Sequence, residues 1–159
     1  EAQLDRFMLK VKINYPNKAE ELEIIERMTS GKKITLEKLG SPELIQEARA
    51  LVSGIHLSDK IKRYVVDIVF ATRQPKEYGL DSLAPLIAFG ASPRASIYLT
   101  MAAKAHAFLR KRAYVMPEDV KAVAMDVLRH RLMLTYEAEA EEIAVEDVLR
   151  KILMGINVP

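Results

Sequence analysis

The sequence predicts a mainly α-helical fold with a short two-stranded ribbon and a single strand near its beginning. Two Ser-Pro dipeptides, at residues 41–42 and 92–93, have the composition of helix starts. Apolar residues then recur at three- and four-residue intervals through most of the chain, as they do on the buried face of a helix. Only residues 9–13 clearly alternate apolar and polar side chains, which is the pattern of a half-buried strand.

The composition limits the classes of protein to which the chain can belong. Half of the 159 residues are hydrophobic, and 24 basic residues face 22 acidic ones, for a net charge of +2. This balance argues against a nucleic-acid-binding protein, which normally has a clustered basic face. The chain has no cysteine and no apolar run of 18 or more residues. We therefore expect a cytoplasmic protein.

The first 31 residues are predicted to differ in fold from the rest. The strand at 9–13 has no comparable strand nearby, and a lone strand leaves its backbone groups unpaired. We therefore expect its sheet to be completed by residues upstream of this chain. A turn at 14–17 leads to a helix at 18–28. The resulting prediction is a domain remnant at 1–31 and a helical domain at 32–159.

Helices in the second domain are predicted from their start signals and apolar periodicity. The helix from residue 42 is expected to bury one face, and another helix should span 59–72. A long helix over 93–112 is expected to point three large side chains inward, with alanines permitting close packing. The predicted inner residues of these helices are Leu44, Ile45, Ala48, Leu51 and Val52; Ile61, Val65, Ile68 and Val69; and Ile97, Met101, Phe108, Ala102, Ala103 and Ala107.

A repeated pattern suggests where the ribbon lies. Residues 115–120 and 143–148 each place β-prone residues before an acid-rich helix start. We expect Tyr114–Met116 and Glu142–Ala144 to pair as strands, with a helix leaving each one. The acidic residues 135–141 between them are expected to form a loop.

The segment Gly90-Ala91-Ser92-Pro93-Arg94 has unusual local chemistry. Ser92 is expected to cap the helix, and Pro93 suits the first helical position. Arg94 then lies in the first turn, where the helix dipole disfavours a cation by roughly 0.3–1 kcal/mol. An arginine beside free helix N–H groups attracts an anion such as phosphate. The alternative is an arginine that extends into solvent.

Two motifs together carry a family resemblance. Leu4-Asp5-Arg6-Phe7 followed by a strand, and then Gly90-Ala91-Ser92-Pro93-Arg94-Ala95, resemble the AAA+ ATPases of the MoxR family. The resemblance extends over nearly the whole chain. It implies the C-terminal part of such a protein, with a helical lid domain preceded by the last strand and helix of an α/β AAA+ core.

The family's functional residues can be assigned to the matching positions. The Arg of Leu-Asp-Arg-Phe is the family's arginine finger, so the resemblance gives Arg6 a catalytic role in a neighbouring subunit. The Arg of Ser-Pro-Arg is the sensor-2 residue, which implies nucleotide binding by Arg94 together with Ser92 and Pro93. Without the resemblance, an ion pair of Arg6 with Asp5 would be the simpler interpretation.

The resemblance also implies cofactors and partners. These are ATP and Mg²⁺, a homo-oligomeric ring that is expected to be a hexamer, and a von Willebrand factor A domain protein. The implied activity is chaperone-like remodelling or maturation of partner proteins. None of the six glycines stands in a Walker A pattern, and the family has its Mg²⁺-binding acids further upstream. We therefore expect no ATP hydrolysis by this chain alone.

Other functions stay open on the sequence. A motor subunit of a magnesium-chelatase-like complex would use the same arginines, whereas a non-enzymatic helical protein-binding module would use neither. His56, His106 and His130 lack the spacing of metal ligands, so no metal site is predicted. The near-neutral charge makes a DNA-binding domain the least favoured class.

Overall fold

The computed structural model describes residues 3–31, 33 and 35–159, and their fold is mainly helical, as predicted. The predicted domain boundary falls at residue 32, which lies outside the described residues. The α-helices are α1 (Lys18–Thr29), α2 (Pro42–Gly54), α3 (Asp59–Ala71), α4 (Pro93–Leu109), α5 (Pro117–Leu128), α6 (Tyr136–Ala140) and α7 (Val145–Gly155). The strands are β1 (Ile87–Phe89) and β2 (Met133–Leu134), and short 3-10 helices span Leu4–Arg6, Pro75–Tyr78 and Asp81–Leu86.

Serine caps begin three of the helices, as the sequence predicts. The hydroxyls of Ser41, Ser58 and Ser92 each accept a backbone N–H of the first turn at 3.3 Å. Proline occupies the first position of α2 and α4, where a missing N–H has no cost. Local capping chemistry therefore determines where these helices start.

The hydrophobic core lies between α3, α4, α5 and α7, with α4 packed mainly against α5. The inner face predicted for α3 is confirmed, and the helices predicted to follow residues 116 and 144, α5 and α7, also bury one apolar face. Their fully buried side chains include Ile61, Val65, Ile68 and Val69 of α3, Val120, Ala124, Val127 and Leu128 of α5, and Val148, Leu149 and Ile152 of α7.

The inner face predicted for α4 is partly wrong. Ala102, Ala103 and Ala107 are buried as expected, but Ile97 and Met101 are 59% and 49% exposed. The helix turns its small residues to the core because alanine lets the α4 backbone approach α5 closely. Ile97 and Met101 are consequently left on the outer surface, whereas Leu99 is fully buried and Phe108 is partly buried against the core.

The prediction that α2 buries one apolar face is also wrong. None of its side chains is buried among the described residues, and Leu44, Ile45 and Leu51 are more than half exposed. Ile45, Ala48 and Val52 of α2 instead line an open groove of about 1040 Å³, whose opposite wall is α4. The periodicity identified the helix and its apolar side, but not whether another element covers that side.

The two-stranded sheet exists, but other residues form it. β1 pairs antiparallel with β2, with Ile87 opposite Leu134 and Phe89 opposite Met133. Of the residues expected to pair, Tyr114 forms an isolated parallel bridge with His56, and residues 142–144 lead into α7 without a strand. β-prone residues indicate an extended backbone, but the folded topology decides which segments meet. The predicted acidic loop contains α6.

The strand predicted at residues 9–13 is absent from the described structure. This segment has no regular secondary structure, and the N–H of Lys10 donates to the carbonyl oxygen of Asp126 at 2.8 Å. Val11 and Ile13 are exposed. A strand needs a neighbour to satisfy its backbone groups, and the described residues provide none beside this segment. The helix predicted after it is present as α1.

A buried carboxylate joins the end of α4 to the start of α5. Asp119 is fully buried and receives the guanidinium of Arg112 on both oxygens, with one N–O distance of 2.7 Å. The ring nitrogen Nδ1 of His106 lies 2.7 Å from Oδ1 of Asp119, and the N–H of Met116 donates to Oδ2 of Asp119 at 2.8 Å. Burial alone would raise the pKa of Asp119, but these hydrogen bonds outweigh it and hold the pKa at about 2.

We predict that Asp119→Asn lowers the free energy of unfolding by about 2 kcal/mol at pH 7, because the amide cannot offset the charge of Arg112. Because the pKa of Asp119 is lowered on folding, its contribution to stability is complete above pH 3.8, the ordinary pKa of the group. The contribution is lost as pH falls towards 2. Urea unfolding of both proteins between pH 7 and pH 2.5 measures it.

A matched control is available at the same position of another helix. Asp147 is also the third residue of its helix, but its side chain is 52% exposed and pairs with an exposed arginine. Asp147→Asn should therefore cost less than about 1 kcal/mol. Equal losses in the two variants, or a loss for Asp119→Asn that does not shrink towards pH 2.5, would contradict this account.

Candidate functional site

The loop that leads into α4 is held closely against the end of α3. The N–H of Ala91 donates to the hydroxyl of buried Thr72 at 2.9 Å. Gly90 lies so near the same residue that a Cβ there would approach the carbonyl oxygen of Thr72 to 2.4 Å. These contacts fix the position from which Ser92 starts α4.

The start of α4 has an anion beside it, and that anion is the carboxylate of Asp5. The hydroxyl of Ser92 donates to Oδ2 of Asp5 at 3.0 Å, and Nη1 of Arg94 donates to the same oxygen at 3.2 Å. The carboxylate therefore offsets the unfavourable placement of Arg94 in the first turn. The side chain of Arg94 is still 50% exposed, so it is also open to a ligand from solvent.

A second arginine, Arg131, binds the other oxygen of Asp5. Its Nε donates to Oδ1 at 3.0 Å, and its side chain is only 1% exposed. The guanidinium also donates to the carbonyl oxygens of Asp5 at 2.9 Å and Met8 at 3.3 Å, and to those of Phe7 and Val127. Burial lowers the pKa of Arg131, and the charge of Asp5 opposes that effect. An arginine stays charged at neutral pH, so a buried cation is paired here with a carboxylate that is 26% exposed.

Sequence reasoning missed the role of Arg131. Arg129-His130-Arg131 follows α5, where cations suit the negative end of the helix dipole and need no further explanation. Nothing in the local pattern separates Arg131 from its neighbours, because its partners at residues 5–8 are more than 120 positions away in the chain. Only the folded topology brings them together.

Arg6 lies in the 3-10 turn next to Asp5, and its side chain is exposed. Its Nε donates to the carbonyl oxygen of Gln3 at 3.2 Å. Its own carbonyl oxygen accepts the hydroxyl of Tyr98 at 3.0 Å. Ion pairing between Arg6 and Asp5, the simpler alternative, is not seen in the described structure, where Arg94 and Arg131 bind that carboxylate.

Two of the four predicted site residues contact one carboxylate, and the other two lie next to the residues of this contact in the chain. Ser92 and Arg94 contact Asp5 directly, Pro93 sets the first turn of α4, and Arg6 is adjacent to Asp5 in the chain. Two guanidinium groups facing one carboxylate leave a net positive charge. The exposed side of this cluster can therefore bind an anion with the geometry of a phosphate.

Neither a metal-binding cluster nor a membrane-spanning helix is found among the described residues. Residues 3–31, 33 and 35–159 contain no group of three or more His, Cys, Asp or Glu arranged to hold a metal ion. Among the helices of those same residues, none is long and apolar enough to span a bilayer.

Comparisons with known proteins show which proteins this chain resembles. Residues 82–152 match the family model of the AAA lid domain. All of the chain aligns with Chaperone MoxR1 of Mycobacterium tuberculosis at 42% identity, covering 42% of that protein. Protein MoxR of Paracoccus denitrificans is 41% identical over 100 residues, which are 59% of this chain and 30% of that protein.

A solved structure extends the likeness to three dimensions. The crystal structure of a "putative ATPase" from Cytophaga hutchinsonii superposes with a TM-score of 0.94 at 42% identity. The match covers 99% of this chain and 48% of that one. The chain thus spans less than half the length of the relatives with which it aligns.

We predict that Gly90→Ala lowers the free energy of unfolding by about 1–3 kcal/mol, because its new methyl group would collide with the backbone of Thr72. Gly54→Ala is the matched control, since the position lies in α2 and has open space around it. Its effect should stay within about 0.5 kcal/mol. Chemical denaturation of both variants tests this, and an unchanged stability of Gly90→Ala would contradict the packing described.

Proposed function

We propose, on the premise that this chain belongs to the MoxR family of AAA+ proteins, that it is the lid-bearing C-terminal part of an ATP-hydrolysing motor. The observation that carries the proposal is the half-exposed guanidinium of Arg94 in the first turn of α4. This group lies beside the capped helix start and shares its carboxylate partner with Ser92 and Arg131. A cation in this arrangement is suited to bind a phosphate.

Arg94 acts as the sensor-2 residue in this proposal. Its guanidinium reaches the terminal phosphate of ATP bound to its own subunit, so that the position of the lid depends on the nucleotide. Ser92 and Pro93 support it by fixing the first turn of α4. A guanidinium suits this task because its fork of N–H donors matches the oxygens of a phosphate.

Arg6 acts as the arginine finger, in the nucleotide site of the neighbouring subunit. Its exposed side chain and its place in a short turn leave it accessible to another molecule. A finger stabilises charge that develops in the transition state, and such residues accelerate hydrolysis by about 10³–10⁵-fold. Because it acts in trans, the proposal requires a ring, and we propose a homohexamer.

In our proposal, the other groups needed for ATP hydrolysis lie outside this chain. Residues 1–31 belong to the nucleotide-binding core and 32–159 form the lid. The rest of the core supplies the Walker A loop and the ligands of Mg²⁺, so ATP and Mg²⁺ bind only to the complete protein. We further propose that the motor works in the cytoplasm and remodels or matures partner proteins, with a von Willebrand factor A domain protein among them.

We predict that, in the complete ATPase, Arg94→Ala lowers ATP turnover about 10–100-fold, because a charged hydrogen bond to phosphate is lost. Arg6→Ala should lower it by about 10³-fold or more. Steady-state phosphate release measures both effects. Arg150→Ala is the control, since this exposed arginine of α7 pairs only with neighbouring Asp147 in the described structure and should keep normal turnover.

The trans action of Arg6 gives a sharper test. Rings are assembled from Arg6→Ala subunits mixed with subunits that have an intact Arg6 but a disabled Walker A lysine. Hydrolysis should reappear in the mixture, because each intact finger can serve a neighbour with a working site. Near-normal turnover of both arginine variants, or mixed rings that stay inactive, would overturn the proposed roles.

A further inference from the structure

We propose that Asp5 is a positioning residue that holds Arg94 in the absence of nucleotide and yields it to the terminal phosphate of ATP. The inference rests on the proposed function, because it needs Arg94 to meet a nucleotide phosphate. It adds a residue to that function: the carboxylate beside the arginine finger competes with the nucleotide for the sensor.

The two oxygens of the Asp5 carboxylate have different partners. Oδ2 accepts both Ser92 Oγ and Arg94 Nη1, at 3.0 and 3.2 Å, whereas Oδ1 accepts Arg131 Nε at 3.0 Å. If Arg94 moves away, each oxygen of Asp5 keeps one hydrogen-bond partner and the carboxylate keeps a cation. Release of Arg94 therefore leaves no unpaired charge behind.

The two arginines that bind Asp5 differ in how firmly they are held. Arg131 is 1% exposed and is bound by several backbone carbonyl oxygens, so its position is fixed. Arg94 is half exposed, and its guanidinium forms an ion pair with Asp5. Ion pairs between exposed groups are weak and exchange easily. A terminal phosphate carries more charge than a carboxylate and accepts a guanidinium in a bidentate manner, so it can displace Asp5.

The position of Asp5 in the chain connects Arg94 to the arginine finger. Asp5 directly precedes Arg6, and Tyr98, one turn after Arg94 in α4, donates its hydroxyl to the carbonyl oxygen of Arg6. The helix that carries the sensor thus contacts the turn that carries the finger through two adjacent residues of that turn. Movement of Arg94 between Asp5 and phosphate changes one of these contacts. Nucleotide sensed in one subunit is thereby linked to the finger presented to the next.

The test compares variants of Asp5 in the complete ATPase. Asp5→Asn and Asp5→Ser both remove the competing charge, and Asp5→Glu keeps it. We expect the first two to lower the KM for ATP about 3–10-fold while kcat falls, and Asp5→Glu to stay near the wild-type KM. Asp147→Asn controls for loss of an exposed aspartate. Circular dichroism identifies the temperatures at which each variant is folded, and KM is measured there. One folded variant, either Asp5→Asn or Asp5→Ser, is sufficient for the test.

The decisive comparison is made in the Arg94→Ala background. There Asp5→Asn should leave the KM unchanged, because no guanidinium remains to be released. A purely structural role for Asp5 would raise the KM, or change it equally in both backgrounds, and either result overturns the inference. If Arg94→Ala itself leaves both KM and kcat unaltered, the proposed function fails instead, whatever Asp5 does.

Discussion

The carboxylate of Asp5 is the group on which the N-terminal part of this structure depends. Arg131 is buried with its charge, and a buried guanidinium is tolerated only where anionic and carbonyl oxygens surround it. Asp5 supplies the charge, and the backbone carbonyls of residues 5, 7 and 8 supply further acceptors. The hydrogen bonds of Arg131 therefore fix the course of residues 5–8 past the end of α5, and with it the position of Arg6.

The same carboxylate resolves a conflict at the start of α4. A cation in the first turn opposes the helix dipole, yet Ser92, Pro93 and Arg94 form the start of this helix. Asp5 compensates the misplaced charge through one oxygen while Arg131 retains the other. Because Arg94 is only partly covered, the compensation is local and reversible in principle. In the proposed function, such a compromise lets the position of the lid depend on nucleotide, because one arginine is fixed and the other is free to exchange.

Local chemistry in the sequence predicted helices well and tertiary partners poorly. Serine caps and apolar periodicity located α2, α3, α4, α5 and α7, because those signals act within one turn. The buried face of α4 was partly misassigned, since Ile97 and Met101 are large and apolar but only the alanines permit close approach to α5. The strand pair and the buried Arg131 could not be predicted, because their partners are distant in the chain. Of the site, the family motifs predicted roles for Arg6 and Arg94 but none for the aspartate contacted by Arg94.

The central claim is that the guanidinium of Arg94 exchanges between a carboxylate and a nucleotide phosphate. The most direct measurement is a structure of the complete ATPase bound to a non-hydrolysable ATP analogue. We expect Arg94 within about 3 Å of an oxygen of the terminal phosphate, with Asp5 still paired to Arg131. A structure in which Arg94 stays on Asp5, or points to solvent with no contact to the triphosphate, would contradict the account.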